Sequence, residues 1–243
     1  HSFANFSQDD AFPKQWAKLY VEQCYQDVYL YVKKLGVKFL PAVNWAERGL
    51  YGDGNSVPRY HVIWGSSLEL VNKMLAAVAP FKNKNIHFGF NCKVKNLLHS
   101  NGIIIGCQDI NGSEYFANNT IIASGGFTGN LKKVSKHWPK DFSPAPTQLL
   151  NGTHPSCDGA LHDEVSHLGG KVTHLDKMWN YAAGIPHPKP SFEQQGLSLI
   201  PCKSALWLDS SGRRIGPAPL VTGFDTHELC KRMSEQKQGY AWQ

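Results

Sequence analysis

No run of apolar residues in these 243 approaches the roughly 18 needed to span a bilayer, and the mean hydropathy is −0.35. No two cysteines stand as C-x-x-C, and the six that exist (Cys24, Cys92, Cys107, Cys157, Cys202, Cys230) are evenly scattered. That spacing fits neither a zinc site nor a compact secreted disulfide framework. No metal-ligand pattern is present, and the thiols read as reduced ones in a cytoplasmic setting. No stretch of five Lys or Arg occurs. The net charge of +6 and pI near 8.9 are therefore a mild surface bias rather than the clustered footprint of a nucleic-acid binder. Part of the excess suits an anionic small molecule. Internal repeats and low-complexity tracts are absent too. Three Asn-x-Ser/Thr matches beyond Asn5, at Asn111, Asn118 and Asn151, come with no signal peptide and read as chance.

What remains is a globular composition, 42% apolar and 18% charged, long enough for one large domain or two modest ones. Residues 14–35 carry helical periodicity through Trp16, Leu19, Tyr20, Val28, Tyr31, Val32 and Leu35. Asp9, Asp10 and Pro13 supply a start, and Gly36 an end. Residues 39–60 read as loop. A second helix begins at Ser66, where Ser66 and Glu69 match a capping box, and Pro80 ends it.

From Asn85 the period changes to two. Ile86–Phe90, Lys93–His99, Ile103–Asp109 and Glu114–Ala123 read as strands. Asn101-Gly102 and Asn111-Gly112 are hairpin turns, which predicts an antiparallel meander. The last strand ends in Thr120-Ile121-Ile122-Ala123, a continuous apolar run typical of a strand buried on both faces. A Pro-rich loop spans 139–155. Asp158 is placed as the N-cap of a third helix closed by Gly169, with Lys171–Leu175 and Ser204–Asp209 as strands and Thr226–Met233 as a last helix. The fold class is α+β.

One segment points to chemistry: Ser124-Gly125-Gly126-Phe127-Thr128-Gly129-Asn130. A strand that runs into two glycines lets a backbone approach a ligand closely, and its amides can meet a phosphate. With the meander before it, Ala123 to Asn130 resembles the "ASGGF-x-GN" strand end of the flavoprotein family of fumarate reductase, succinate dehydrogenase and 3-ketosteroid Δ1-dehydrogenase. Gly54 to Gly65, Met178 to Gly184 and Ser204 to Thr226 are similar to its ketosteroid-dehydrogenase-like branch. The resemblance implies FAD as cofactor, with Ser124, Gly125, Gly126 and Asn130 beside it and Val94 against the adenine. It also implies an α/β FAD domain of which this chain holds part. Residues 1–84 would be a helical cap or insert, 85–130 the meander and returning strand of a Rossmann-like sheet, and 131–243 a mixed α+β substrate domain truncated at its C-terminus.

Departures from the family are as informative. The N-terminal G-x-G-x-x-G that seats the pyrophosphate is missing, as is the C-terminal glycine-rich segment, so the chain reads as an internal piece. Phe224 stands where a dicarboxylate enzyme has its Arg, Ile200-Pro201 where it has Thr-Glu, and His187-Pro188 is displaced. Without an Arg fork a dianion is poorly held, so fumarate and succinate are disfavoured. A ketone on an apolar skeleton suits better.

The resemblance places Tyr181 and Arg214 as catalytic and Asn180, Arg213 and Phe224 as substrate-binding, and His61, in an apolar run beside Arg59 and Trp64, is a further catalytic candidate as acid or base. Each has a plainer reading as well. Arg213-Arg214 is also an exposed hairpin, His61 a satisfied structural histidine, Tyr181 a core tyrosine, Asp158 a helix cap, and His154 and Asp225 stay open. The implied activity is FAD-dependent dehydrogenation or reduction of a C–C bond next to a carbonyl, on a small-molecule substrate. The alternative is a non-catalytic binding module with an incomplete flavin site. The chain by itself is expected to hold FAD weakly or not at all. A purified sample that stays yellow through gel filtration, with flavin near one to one, overturns this.

Overall fold

The computed structural model describes residues 6–8, 10–41, 61–182, 184–199, 206–216 and 226–243. The chain forms two compact units, 1–89 and 90–243.

In the first unit, helix α1 spans Ala11–Gln23, continues through one π-helical stretch at Cys24–Leu30, and ends as α2 at Tyr31–Lys34. Asp10 starts it. The Asp10 carboxylate is buried and accepts from the Ser7 amide at 2.6 Å and the Ser7 hydroxyl at 2.8 Å. Gly36 stops it, as the sequence predicts: its φ of +87° is left-handed, and its amide closes on the Lys33 carbonyl. No residue of α1 is buried; Phe12, Trp16 and Tyr20 stand exposed. Strands β1 (Phe39–Pro41) and β2 (His61–Ile63) pair antiparallel, Phe39 opposite Ile63 and Pro41 opposite His61. Part of the expected loop is thus strand, and 42–60 lie outside the described residues. Helix α3 is Ser66–Val78. The predicted capping box does not form. Gly65, at φ +91°, takes the N-cap position and Ser66 lies inside the first turn, with Glu69 turned to Lys73 at 3.5 Å.

Ile86–Phe90 is not a strand. The amides of Lys84, Asn85 and Ile86 all fold back onto the Phe81 carbonyl, and Asn83 is left-handed, so the chain turns instead of extending.

The second unit opens with the meander: β3 (Val94–Ser100), β4 (Ile103–Asp109) and β5 (Glu114–Phe116), antiparallel in that order. Buried Asp109 folds the second turn by accepting from the Asn111 and Ser113 amides at 2.8 and 3.0 Å. Strand β5 stops at Phe116, well short of the predicted Ala123. Residues 118–126 make no backbone hydrogen bond with another described residue, and Ile121 is 90% exposed. The predicted buried strand therefore has no neighbour to pair with among the described residues.

Helix α4 (Leu131–Lys136) is an element the sequence reading missed; its signal is Asn130, whose Oδ1 caps the Lys133 amide at 3.2 Å. Helix α5 (Ala160–His167) packs on β3, and Glu164 accepts from the Leu97 amide at 3.0 Å beside an irregularity in the ladder. Lys171–Leu175 is not a strand, because His174 is left-handed and accepts from the Lys177 amide in a turn. A hairpin of β6 (Gly184–Pro186) and β7 (Gly196–Ser198) appears instead. Helix α6 is Thr226–Ser234.

Of the strand expected at Ser204–Asp209 only Leu208 is bridged, to Arg214 on one side and Trp242 on the other, and 204–205 lie outside the described residues. Trp207 is buried with Leu229 of α6, and Ala182, Ile215, Met233 and Ala241 close around the pair. Leu229 is 1% exposed, so Leu229→Ala removes a fully buried side chain. The expected cost is about 2–5 kcal/mol, read as a lower urea midpoint with unchanged slope.

Candidate functional site

The glycine turn is held from below. The Gly129 amide donates to the Cys157 carbonyl at 3.0 Å, and a side chain on Gly129 would meet the His154 carbonyl oxygen at 2.5 Å. Phe127 is buried, edge-on to His137 at 5.7 Å and to His162 at 6.4 Å. Gly159 packs on it: a Cβ there would stand 2.5 Å from the Phe127 Cβ, and its φ of +69° is left-handed, so glycine is required on both counts. Lys133 of α4 ties the arrangement. Its Nζ donates to the Gly159 carbonyl at 2.8 Å and to Asp163 at 2.6 Å.

Between the start of β3 and the start of α5 this packing leaves a cleft of about 540 Å³. Asn91, Cys92, Lys93 and Val94 form one wall; Ser156, Asp158, Gly159, Ala160 and Leu161 form the other, and Ser124 closes a side. Asp158 is anchored twice. Its Oδ1 accepts from the Ala160 amide at 2.9 Å, and its Oδ2 takes Lys93 Nζ at 2.8 Å. The capping role predicted for Asp158 is thus present, though Gly159 holds the N-cap position itself. Burial alone would push the Asp158 carboxyl up. The Lys93 hydrogen bond, the Ala160 amide and the charges of Lys93 and Lys133 outweigh it and hold the carboxyl below its ordinary value. Cys92 Sγ lies 3.1 Å from the Tyr115 hydroxyl. That contact first, then burial and the neighbouring Cys92 and Asp109 charges, raises the tyrosine to about 12.

The first amides of α5 beyond Ala160 have no intrahelical partner, which favours an anion. Ser124 and Ser156 add hydroxyls, Val94 adds an apolar surface, and open space lies over Gly126, where a Cβ would meet nothing. This set fits the nucleotide end of a dinucleotide: flat apolar contact, sugar-binding polar groups and amides for phosphate.

Of the residues singled out in the sequence, Val94 and Ser124 line this cleft together, whereas Gly125 and Gly126, next in the chain after Ser124, are not among its lining residues. Asn130 spends its side chain on capping α4. Tyr181 stands 56% exposed and stacks on Trp179 with ring centroids 6.3 Å apart. The Asn180 carbonyl accepts from the buried Cys230 thiol at 3.2 Å, and burial pushes that thiol up to about 12. Arg213 and Arg214 sit exposed on a hairpin whose turn is folded by Asp209, and neither lines the cleft. His61 lies in β2 of the other unit, and Phe224 falls outside the described residues, as does Asp225. The sequence reading missed Lys93, Ser156 and Lys133. An Asp-Gly before a helix, facing a lysine at a strand start, was the available signal.

The start of β3, Ser124 of the glycine turn and the start of α5 thus line one cleft. Comparison with known proteins narrows this. Residues 3–239 match the family described as FAD binding domain, and the chain belongs to that family. It is 32% identical over 255 aligned positions to a KsdD-like steroid dehydrogenase of Mycobacterium tuberculosis, covering 96% of this chain and 44% of the relative. It is 31% identical to a KsdD-like steroid dehydrogenase of Mycolicibacterium smegmatis, covering 96% of this chain and 46% of that protein. The chain therefore spans less than half the length of these relatives. Among the described residues no helix is long and apolar enough to cross a membrane, and no three His, Cys, Asp or Glu side chains cluster as a metal site.

The Lys93–Asp158 pair makes a pH prediction. Because the folded carboxyl is depressed, its contribution is complete above the unfolded value of about 3.9. It fades as pH falls through the lower folded one. The protection factor of the Ala160 amide against exchange is expected to fall on that descent, and Lys93→Met is expected to move the fall to higher pH. High salt should weaken the wild-type effect, since Lys93 is more than half exposed. An acid profile indifferent to Lys93→Met would contradict the ion pair.

Proposed function

We propose that the intact protein is an FAD-dependent dehydrogenase of ketosteroid type, acting on a C–C bond beside a ring carbonyl, and that this chain supplies the nucleotide end of the cofactor site and part of the substrate site. The observation that carries the reading is the convergence of Val94, Ser124 and the α5 start on one cleft in a chain of the FAD-binding family. FAD, when bound, supplies the acceptor for the hydride that leaves the substrate carbon.

The chain's own residues bind and orient. Ser124, Gly125 and Gly126 offer backbone to the cofactor, Asp158 and Ser156 accept and donate to its sugar, and Val94 covers its adenine. The stacked pair Trp179 and Tyr181 offers a flat aromatic surface to an apolar ring system, and the Tyr181 hydroxyl donates to the ketone oxygen as charge builds there. Asn180 adds a polar contact and Phe224 an apolar one in place of an Arg fork. Arg214 and Arg213, which make no ion pair among the described residues, hold positive potential for an anionic group. His61 is the candidate that removes the neighbouring proton. Residues Thr120–Ala123 take their place in a parallel sheet of the FAD domain, which would cover both their faces. Scattered unpaired cysteines suit the cytoplasm.

The test uses the intact gene product. It is expected to purify with a flavin spectrum that bleaches anaerobically on addition of a saturated 3-ketosteroid. Tyr181→Phe is expected to slow that bleaching by about a hundredfold while leaving the bound flavin in place. A product that carries no flavin and bleaches with no ketone would establish the binding-module reading instead.

A further inference from the structure

We infer that Asn151 is a positioning residue for the cofactor turn, acting through the Gly129 carbonyl. The inference rests on the reading that Ser124–Gly126 meets FAD. Asn151 is 4% exposed, yet its side chain is an amide. Both ends of that amide are used: Nδ2 donates to the Gly129 carbonyl at 3.2 Å, and Oδ1 accepts from the Thr153 amide at 2.8 Å. Its backbone is used as well. The amide donates to the Gln194 carbonyl at 2.8 Å, and the carbonyl accepts from Gly196 at 2.9 Å.

One buried residue thus joins three stretches that are far apart in sequence: the glycine turn, the segment leading to Asp158 and α5, and the start of β7. The neighbouring contacts run the same way. Thr128 and Thr153 share a hydroxyl hydrogen bond at 3.2 Å, and Gly129 donates to Cys157. Asn151 therefore sets the height of the turn relative to the opposite wall of the cleft. Few side chains of this size donate and accept at once: an ionised Asp cannot donate, and Leu or Ala can do neither. The Asn-Gly-Thr tripeptide is used for this bonding, and its Nδ2 is not free for a glycan.

The test measures FAD affinity of the intact apoprotein by quenching of flavin fluorescence, for wild type, Asn151→Ala, Asn151→Asp and the exposed-turn control Asn111→Ala. Wild type and Asn111→Ala are expected to bind alike from about pH 5 to about pH 8. Asn151→Ala should bind about tenfold or more weakly across that range, because the Gly129 carbonyl is left unpaired. Asn151→Asp should bind as weakly as the alanine variant at the upper pH. It should recover toward wild type at the lower one, where burial keeps the carboxyl protonated and its O–H donates to Gly129 in place of the amide. Packing alone cannot produce that pH-dependent recovery in affinity. If Asn151→Ala fails to fold, the two pH points of Asn151→Asp carry the test. A variant pair that binds FAD as wild type does, or an Asn151→Asp loss without recovery, overturns the inference and leaves the proposed function standing. A wild type that binds no FAD overturns both.

Discussion

The contact between Phe127 and Gly159 is the constraint on which the candidate site depends. It brings the end of the glycine turn against the start of α5 with no room for a methyl group between them. The aromatic ring is buried on one side by His137 and His162, and the glycine carbonyl is fixed on the other by Lys133. The cleft is what remains open once these parts touch. Its polar groups follow from the same packing. Asp158 precedes the glycine, so its carboxylate faces Lys93 across the opening, and the Ala160 amide falls within its reach. Close packing of apolar groups thus positions the charged and hydrogen-bonding ones, rather than the reverse.

The elements legible in the sequence were those whose signal is local. The Asn101-Gly102 and Asn111-Gly112 turns defined the meander because a left-handed glycine, in a two-residue turn at Gly102 and a three-residue one at Gly112, leaves few other geometries. Gly36 ended its helix for the same reason. Two residues that the sequence singled out, Val94 and Ser124, share a cleft. The missed features were settled by partners distant in the chain. Thr120–Ala123 has strand composition, yet a strand needs a neighbour, and none of the described residues supplies one. The pairing of Leu208 with Trp242 joins segments no periodicity connects. Asn151 looked like an incidental tripeptide, and its role as a buried junction is visible only once Gly129 and Gln194 are beside it. Ser66 and Glu69 show the converse error: the right residue types at the right spacing, displaced one position by the left-handed Gly65.

Polarity is divided unevenly over the bridged segments at Leu208. Trp207, Ile215 and Ala241 alternate inward onto Leu229, while Leu208, Arg214 and Trp242 share the opposite face, directly across from one another. Arg214, read from sequence as part of the chemistry, therefore stands in a row with an exposed indole rather than at the nucleotide cleft. Neither Arg214 nor Tyr181 is among the residues that line the cleft with Ser124 and Asp158. Trp179 and Tyr181 are attached to α6 through Cys230, and Ser124 and Asp158 to the meander and α5.

The two walls of the cleft meet across a separation of 65 residues, the interval between Lys93 and Asp158. Closing that loop loses chain entropy, which the contacts across the cleft must return. A nucleotide that binds only the closed form stabilises it by mass action. Any ligand that touches both walls therefore adds to the contacts that hold α5 against β3.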